Sequence, residues 1–571
     1  MNHLPTDILL EIFKFDCESF LRFSHVCCRW RALIHRCSLF WSRIGLRLFN
    51  PELDQQAAYW LERVSSRPLS ITIQSKPFRR CAEGNQDDDY LVPLAGILRE
   101  HMARCEELEI NALPEQVRRF MEVCAGDTPL LRRVIIRLPY DYHKDMNYKC
   151  NIRYPCDIPF TLTTGHPSLP RAYVKFEGWS PSFSSFGAAL TVLEIDGGYT
   201  IKRSDHLLSM LRSCPNLVKF YLSRDARREI GESPPAERVA LPYLTDLCIN
   251  NISDVDELID WLDVPSLRNL TIWEFAWRGA MLGAFLDLFP TCPSLSNISL
   301  SCVLHRLETE LPHFAGETLS LPAVTHFTFY GNTAASALLS QLVLPNVQEL
   351  SLQNVPFDVI HQLVSSTTQL REASFEGSMK IVEGLPVITL PTLASLEIIG
   401  AIGCVDFLHL PQLASLKFGG ADHSNPETPL GAPLSTLVER SAPPLATLKL
   451  ERLNVPDQSL IWCLERLPLL EDLSLRSCAI TDAVLHALSE PDLAHQARSF
   501  IVPRLARFAF HRTRITPAGA ISFLSSRLWD GAAVGARWPP LEGRITFDNH
   551  KSISRDDRAT IRSMGDFLSR F

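Results

Sequence analysis

The chain has 571 residues, 46% hydrophobic and 21% charged, the balance of a folded protein rather than a disordered one. Its formal net charge of −8 gives no electrostatic footprint for nucleic acid or an anionic membrane, and no run approaches the roughly 18 uninterrupted apolar residues of a membrane span. The 16 cysteines include no CxxC pair. That argues against a disulfide scaffold and the usual zinc spacings, and leaves buried, reduced thiols in a soluble cytoplasmic or nuclear protein as the expectation.

The first elements read as helices. In LPTDILLEIF (4–13), Pro5 suits a first helical turn because its missing N–H would be unpaired there anyway, and Asp7 favours the same end electrostatically. Ile8, Leu9, Ile12 and Phe13 follow at helical spacing. Asp7 and Glu11 inside the apolar run, without a basic lead, make a poor signal peptide. A second helical pattern runs Phe20, Phe23, Cys27, Trp30 and Ile34, widened by Leu21, Val26 and Leu33, and a third carries Phe40, Trp41, Ile44 and Leu48. A core alone rarely suffices below about 40 residues. These helices carry apolar residues on more than one face, so the excess must pack on the following chain, on a partner, or on both.

Beyond them one phrase recurs: proline or a small polar residue, then L-x-x-L-x-L. Clear copies are PNLVKFYL (215–222), PYLTDLCI (242–249), PSLRNLTI (265–272), PSLSNISL (293–300), PNVQELSL (345–352) and PLLEDLSL (468–475), and twelve in all start between 215 and 503 at intervals of 20 to 35 residues. Weaker copies lie upstream at 68–73, 105–110, 129–136 and 190–195, and residues 140–185 yield no assignable repeat. The last two apolar positions flank one residue, which is strand alternation. Segments such as DELIDWLDV (256–264) recur at three and four, as on a helix behind the strand. One repeat cannot bury its own apolar side, so such units must stack.

This phrase resembles leucine-rich repeats, and LEDLSLRSCAITDAVLHAL (470–488) resembles their cysteine-containing subtype, with Cys478 as a structural thiol. Asp225, Val303 and Val355 depart from the Asn or Cys that the pattern calls for. The opening helices resemble the F-box: Leu4-Pro5, Ile12-Phe13, Val26-Cys27, Trp30 and Trp41 stand in that family's order. F-box followed by leucine-rich repeats is a familiar arrangement, similar to the large fungal F-box families. The resemblance implies an α/β fold: a three-helix F-box at 1–48 and a curved solenoid with a concave parallel sheet and outer helices. Irregular repeats would fill 49–200, regular ones 201–530, and a C-terminal cap 531–571.

It also implies a function: a non-catalytic substrate receptor of a Skp–cullin–F-box ubiquitin ligase. Leu4, Pro5, Ile8, Leu9, Ile12 and Phe13 would dock a Skp-type adaptor, with Val26, Cys27, Trp30 and Leu33 completing the unit. The alternatives are an interaction scaffold outside ubiquitin transfer, using the same repeats, or an enzyme with a dispersed site. No phosphate-loop, zincin, nucleophile-elbow or dinucleotide motif supports the last, and no cofactor or metal is implied. AEGNQDDDY (82–90) lacks the spacing of a calcium loop and reads as solvated.

A protein substrate would meet the strand residues that flank the middle leucine, from Lys219 and Tyr221 to Arg507 and Ala509. Interfaces favour aromatic anchors, so Tyr221, Trp273, His326 and Tyr330 are the candidates. The separation of Lys219, Lys417, Lys449 and Arg507 argues against a phosphorylated ligand, for which clustered arginine is the usual receptor.

Overall fold

A computed structural model describes residues 4–567 apart from 16–19, 49, 51, 75–90, 138–155, 162–171, 179–180, 197–203, 224–236, 253, 303–317, 332–334, 378–383, 401, 421–429, 490, 493–498, 534–540, 548–553 and 566. The acidic stretch at 82–90, Asp225, Val303 and much of 140–185 therefore lie outside the described residues. The chain divides into two units, residues 1–276 with 283–295 and residues 277–282 with 296–571.

The first unit opens with four helices, α1 (Thr6–Phe15), α2 (Phe20–Ser24), α3 (Cys28–Arg36) and α4 (Ser38–Trp41). Then strands alternate with helices: β1 (Arg43–Arg47), α5 (Leu53–Val64), β2 (Leu69–Gln74), α6 (Leu91–Arg99), β3 (Cys105–Asn111), α7 (Pro114–Val123) and β4 (Arg133–Arg137). β5 (Ala172–Glu177), β6 (Leu190–Asp196), β7 (Lys219–Ser223), β8 (Asp246–Asn250) and β9 (Asn269–Phe275) complete its ladder, with helices α8 (Ser204–Arg212) and α9 (Val255–Asp260) between strands. Each strand pairs in parallel with the next in chain order.

The second unit repeats this plan with β10 (Asn297–Cys302), β11 (His326–Tyr330), β12 (Glu349–Gln353), β13 (Glu372–Glu376) and β14 (Ser395–Ile399). β15 (Ser415–Gly419), β16 (Thr447–Glu451), β17 (Asp472–Arg476), β18 (Arg507–Thr513) and β19 (Glu542–Phe547) follow, again parallel and in order. Its longer helices include α10 (Phe357–Ser365), α11 (Gly431–Ser441), α12 (Asp457–Glu465), α13 (Asp482–Ser489), α14 (Pro517–Ala533) and α15 (Arg555–Met564). The molecule is thus mixed α/β, with long parallel ladders built by a strand–helix repeat.

The recurring phrase sets the core. In β8, Leu247 and Ile249 point inward with Leu244 just ahead of them, all buried, while Asp246, Cys248 and Asn250 stay partly open. Where a strand ends, the chain turns through a left-handed residue: Gly178, Asn251, Glu274, Asn354, Gly377, Gly400, Arg452, Ser477 and Arg512 all have φ between 50° and 128°. The turn adds a ladder bond, as when Asn354 N donates to Glu376 O at 2.7 Å and Ser477 N to His511 O at 2.7 Å. Acid–threonine clamps join neighbouring coils on the helical side. Asp457 accepts from Thr481 N and Oγ1 (3.1 and 2.5 Å), and Asp482 from Thr516 N and Oγ1 (2.7 and 2.5 Å). Cys478 is buried with its thiol donating to Leu450 O at 3.4 Å, and burial pushes its pKa up to about 11.

Three local expectations need correction. The pattern over 20–34 is two helices, because Cys27 is extended (φ −159°, ψ 165°) and its Sγ accepts from Trp30 N, capping α3. Residues 43–48 are not helical: Ile44, Leu46 and Leu48 are buried at period two, and β1 pairs with β2. The opening region therefore contains four helices and a strand rather than three helices.

Candidate functional site

Two apolar stripes run along α1. Leu9 and Phe13, four residues apart, face inward and are buried. The Phe13 ring lies 4.8 Å from Trp30, 5.3 Å from Phe23 and 6.3 Å from Phe40 between centroids, an aromatic cluster that fixes α1 on α3 and α4. Arg29 Nη2 donates to Leu4 O at 2.8 Å and Arg31 Nε to Ser24 O at 3.1 Å, tying the chain ahead of α1 and the end of α2 to α3. The second stripe points the other way: Ile8 is 48% exposed, Ile12 46% and Phe15 92%, and Val26 in the turn before α3 is 60% exposed. Pro5 and Leu21 are exposed as well.

The ten adaptor candidates thus separate. Pro5, Ile8, Ile12 and Val26 are exposed, Leu4, Cys27 and Leu33 half-buried, and Leu9, Phe13 and Trp30 are internal supports. Phe15 was missed by sequence reading, although it continues the Ile8–Ile12 stripe at the next helical step, and Leu21 was placed in the second helical pattern without being nominated for docking. The face is open but firmly backed. Trp41 Nε1 donates to Ile34 O at 2.9 Å, and its ring sits 5.7 Å from Tyr59 and 6.2 Å from Trp60 on α5. Arg63 lies 3.4 Å over the Tyr59 ring. Burial, then Arg63 and Arg31, lowers the pKa of His35 beside Trp41, which keeps that imidazole neutral at pH 7.

Residues 1–47 match the F-box-like family. The chain carries an F-box-like domain. No curated protein matches the sequence. The exposed stripe lies entirely within this F-box-like domain, and the domain ends on β1, the first strand of the ladder.

The strand face offers a second candidate surface. Tyr221 is half-buried in β7 and Trp273 exposed in β9 of the first unit. His326 and Tyr330, both exposed, share β11 of the second, where His326 Nε2 lies 3.2 Å from Glu349 Oε1. Much of the face in the first unit is internally neutralised: Arg137 binds Glu109 and Glu177, and Lys175 lies 3.0 Å from Glu177 and 3.8 Å from Glu194. Tyr173 in this network is pushed up to about 12 by burial and by its hydrogen bond to Glu194.

Proposed function

We propose that the protein is the substrate-receptor subunit of a Skp–cullin–F-box ubiquitin ligase. In this reading the F-box-like domain docks a Skp-type adaptor, and through it a cullin, and the strand–helix coils are leucine-rich repeats that recruit a protein substrate. The observation that carries it is the Ile8–Ile12–Phe15 stripe with Val26, held outward by an aromatic core that packs on the opposite side of α1. Large apolar side chains on a rigid helix mark an interaction site, and burying each half-exposed one against a partner contributes about 1 kcal/mol. The period, the buried L-x-x-L-x-L positions and the left-handed corners support the repeat assignment.

Such a subunit makes and breaks no bonds. It raises the effective concentration of a substrate near the conjugating enzyme, and specificity resides on the strand face. Cytoplasm or nucleus is the compartment that suits the role and the buried thiols. Co-purification of the full chain with a Skp-type adaptor tests the proposal. Ile8→Asp/Ile12→Asp should abolish capture while leaving the melting temperature unchanged, since both positions are exposed. Wild-type protein that never captures the adaptor refutes the ligase reading and leaves an interaction scaffold.

A further inference from the structure

The strand face of β16–β19 differs from the rest. Register places Lys449, Ser474, Ala509 and Arg544 in one row across four adjacent strands, on the residues that flank the buried leucine or its equivalent. Lys449 and Arg544 are exposed, and neither forms an ion pair among the described residues. Lys417, beside Lys449 in this row, has its Nζ 2.5 Å from Glu397, and in the corresponding strand positions of the first unit Lys175 lies 3.8 Å from Glu194. Between the two unmatched cations the floor is made of two small side chains, Ser474 and Ala509, which leave a shallow lane.

Further cations border this lane. Arg476 on one side and Arg507 on the other each hold a single carboxylate, Glu451 at 3.7 Å and Asp472 at 3.3 Å, and both remain 58% exposed. His511, next to Arg476 in register, has its pKa lowered by burial and then by Arg476 and Arg544, and the exposed Glu542 stands beside Arg507 at the lane's edge. Sequence reading sets Lys449 and Arg507 well apart, whereas register puts them only two strands apart; it does not name Arg476, at a third outward position on its strand, or Arg544, on a strand with no recognisable phrase.

We infer that this lane binds an extended acidic peptide segment of a partner protein, lying across the strands with carboxylates at positions i and i+4. Strands are spaced by about 4.8 Å, so Lys449 and Arg544 stand about 14 Å apart. An extended chain rises about 3.4 Å per residue, so side chains four residues apart cover the same span and point to the same side. The two free cations stand singly, which suits one carboxylate each better than a phosphate dianion. The inference names a partner class for the strand face and so rests on the substrate-receptor reading for its role. Peptide binding is nevertheless measured without the adaptor, so either can fail alone.

The test uses the full chain and fluorescein-labelled ten-residue Gly/Ser peptides at low salt, read by anisotropy. A peptide with Glu at i and i+4 should bind about tenfold tighter than its Gln counterpart or one with Glu at i and i+3. Lys449→Glu/Arg544→Glu, at two exposed positions, should lose that advantage, as should the milder Lys449→Ala/Arg544→Ala. Arg118→Glu, on helix α7 of the other unit, should bind as wild type. Equal binding by the Glu and Gln peptides, unchanged binding by both double variants, or an equal loss in Arg118→Glu overturns the inference. Binding of a phosphoserine peptide alone overturns it too.

Discussion

Ile12 and Phe13 are neighbours in sequence and face opposite environments. Phe13 is fully buried and touches three aromatic rings, so Phe13→Ala removes both its apolar burial and the packing of α1. It should cost about 3–5 kcal/mol, read as a loss of the opening helices in urea unfolding, whereas Ile12→Asp should stay within about 0.5 kcal/mol. Sequence supplied the identities of these residues without their directions, because both stripes of α1 are apolar and periodicity alone does not say which one meets the core. The structural role expected for Cys478 did follow from its place after a strand, in an apolar setting. By contrast, the placement of Lys449 and Arg544 in one row became visible only through register.

At the level of elements, the phrase L-x-x-L-x-L located most strands, since its spacing is the direct imprint of alternate burial. It failed where another residue occupies the space of its leucine. In β19 that position is Gly543, where a Cβ would collide with the Phe508 ring, so the strand carries no readable pattern. β1 escaped notice for a different reason: Phe40, Ile44 and Leu48 are spaced by four, which reads as a helix although Ile44, Leu46 and Leu48 are buried at period two. Glycine also governs the clamp between α13 and α14. A Cβ on Gly519 would collide with the Asp482 carboxylate that holds Thr516. In an ordinary helix Gly→Ala stabilises by up to about 1 kcal/mol. Here Gly519→Ala should instead destabilise by about 1–2 kcal/mol, as two hydrogen bonds are disturbed. A lowered urea midpoint, with no further loss when Asp482→Ala is added, checks this.

At the scale of the whole molecule, the ladder's first strand belongs to the same 47 residues that carry the F-box-like match. Deleting residues 1–47 therefore removes β1 and Trp41 together, baring the edge of β2 and the faces of Tyr59 and Trp60. An uncovered strand edge is a template for aggregation. The truncated chain should elute as aggregates in size-exclusion chromatography and melt earlier, while Ile8→Asp/Ile12→Asp elutes as wild type. The two behaviours separate loss of a docking surface from loss of the ladder's end.

Trp41 has an evolutionary corollary. Its indole is bonded to α3 and meets the rings of α5 edge-on, and together with the Tyr59–His35 and Arg67–Ser38 hydrogen bonds it makes the seam between the helical module and the coils. Gene shuffling that joined a foreign helical module to these coils would have to bring a matching ring and a matching first strand, or leave the coils without a lid. Descent should accordingly keep the two together as one heritable block reaching past residue 64, even where the distal coils are exchanged, lengthened or lost.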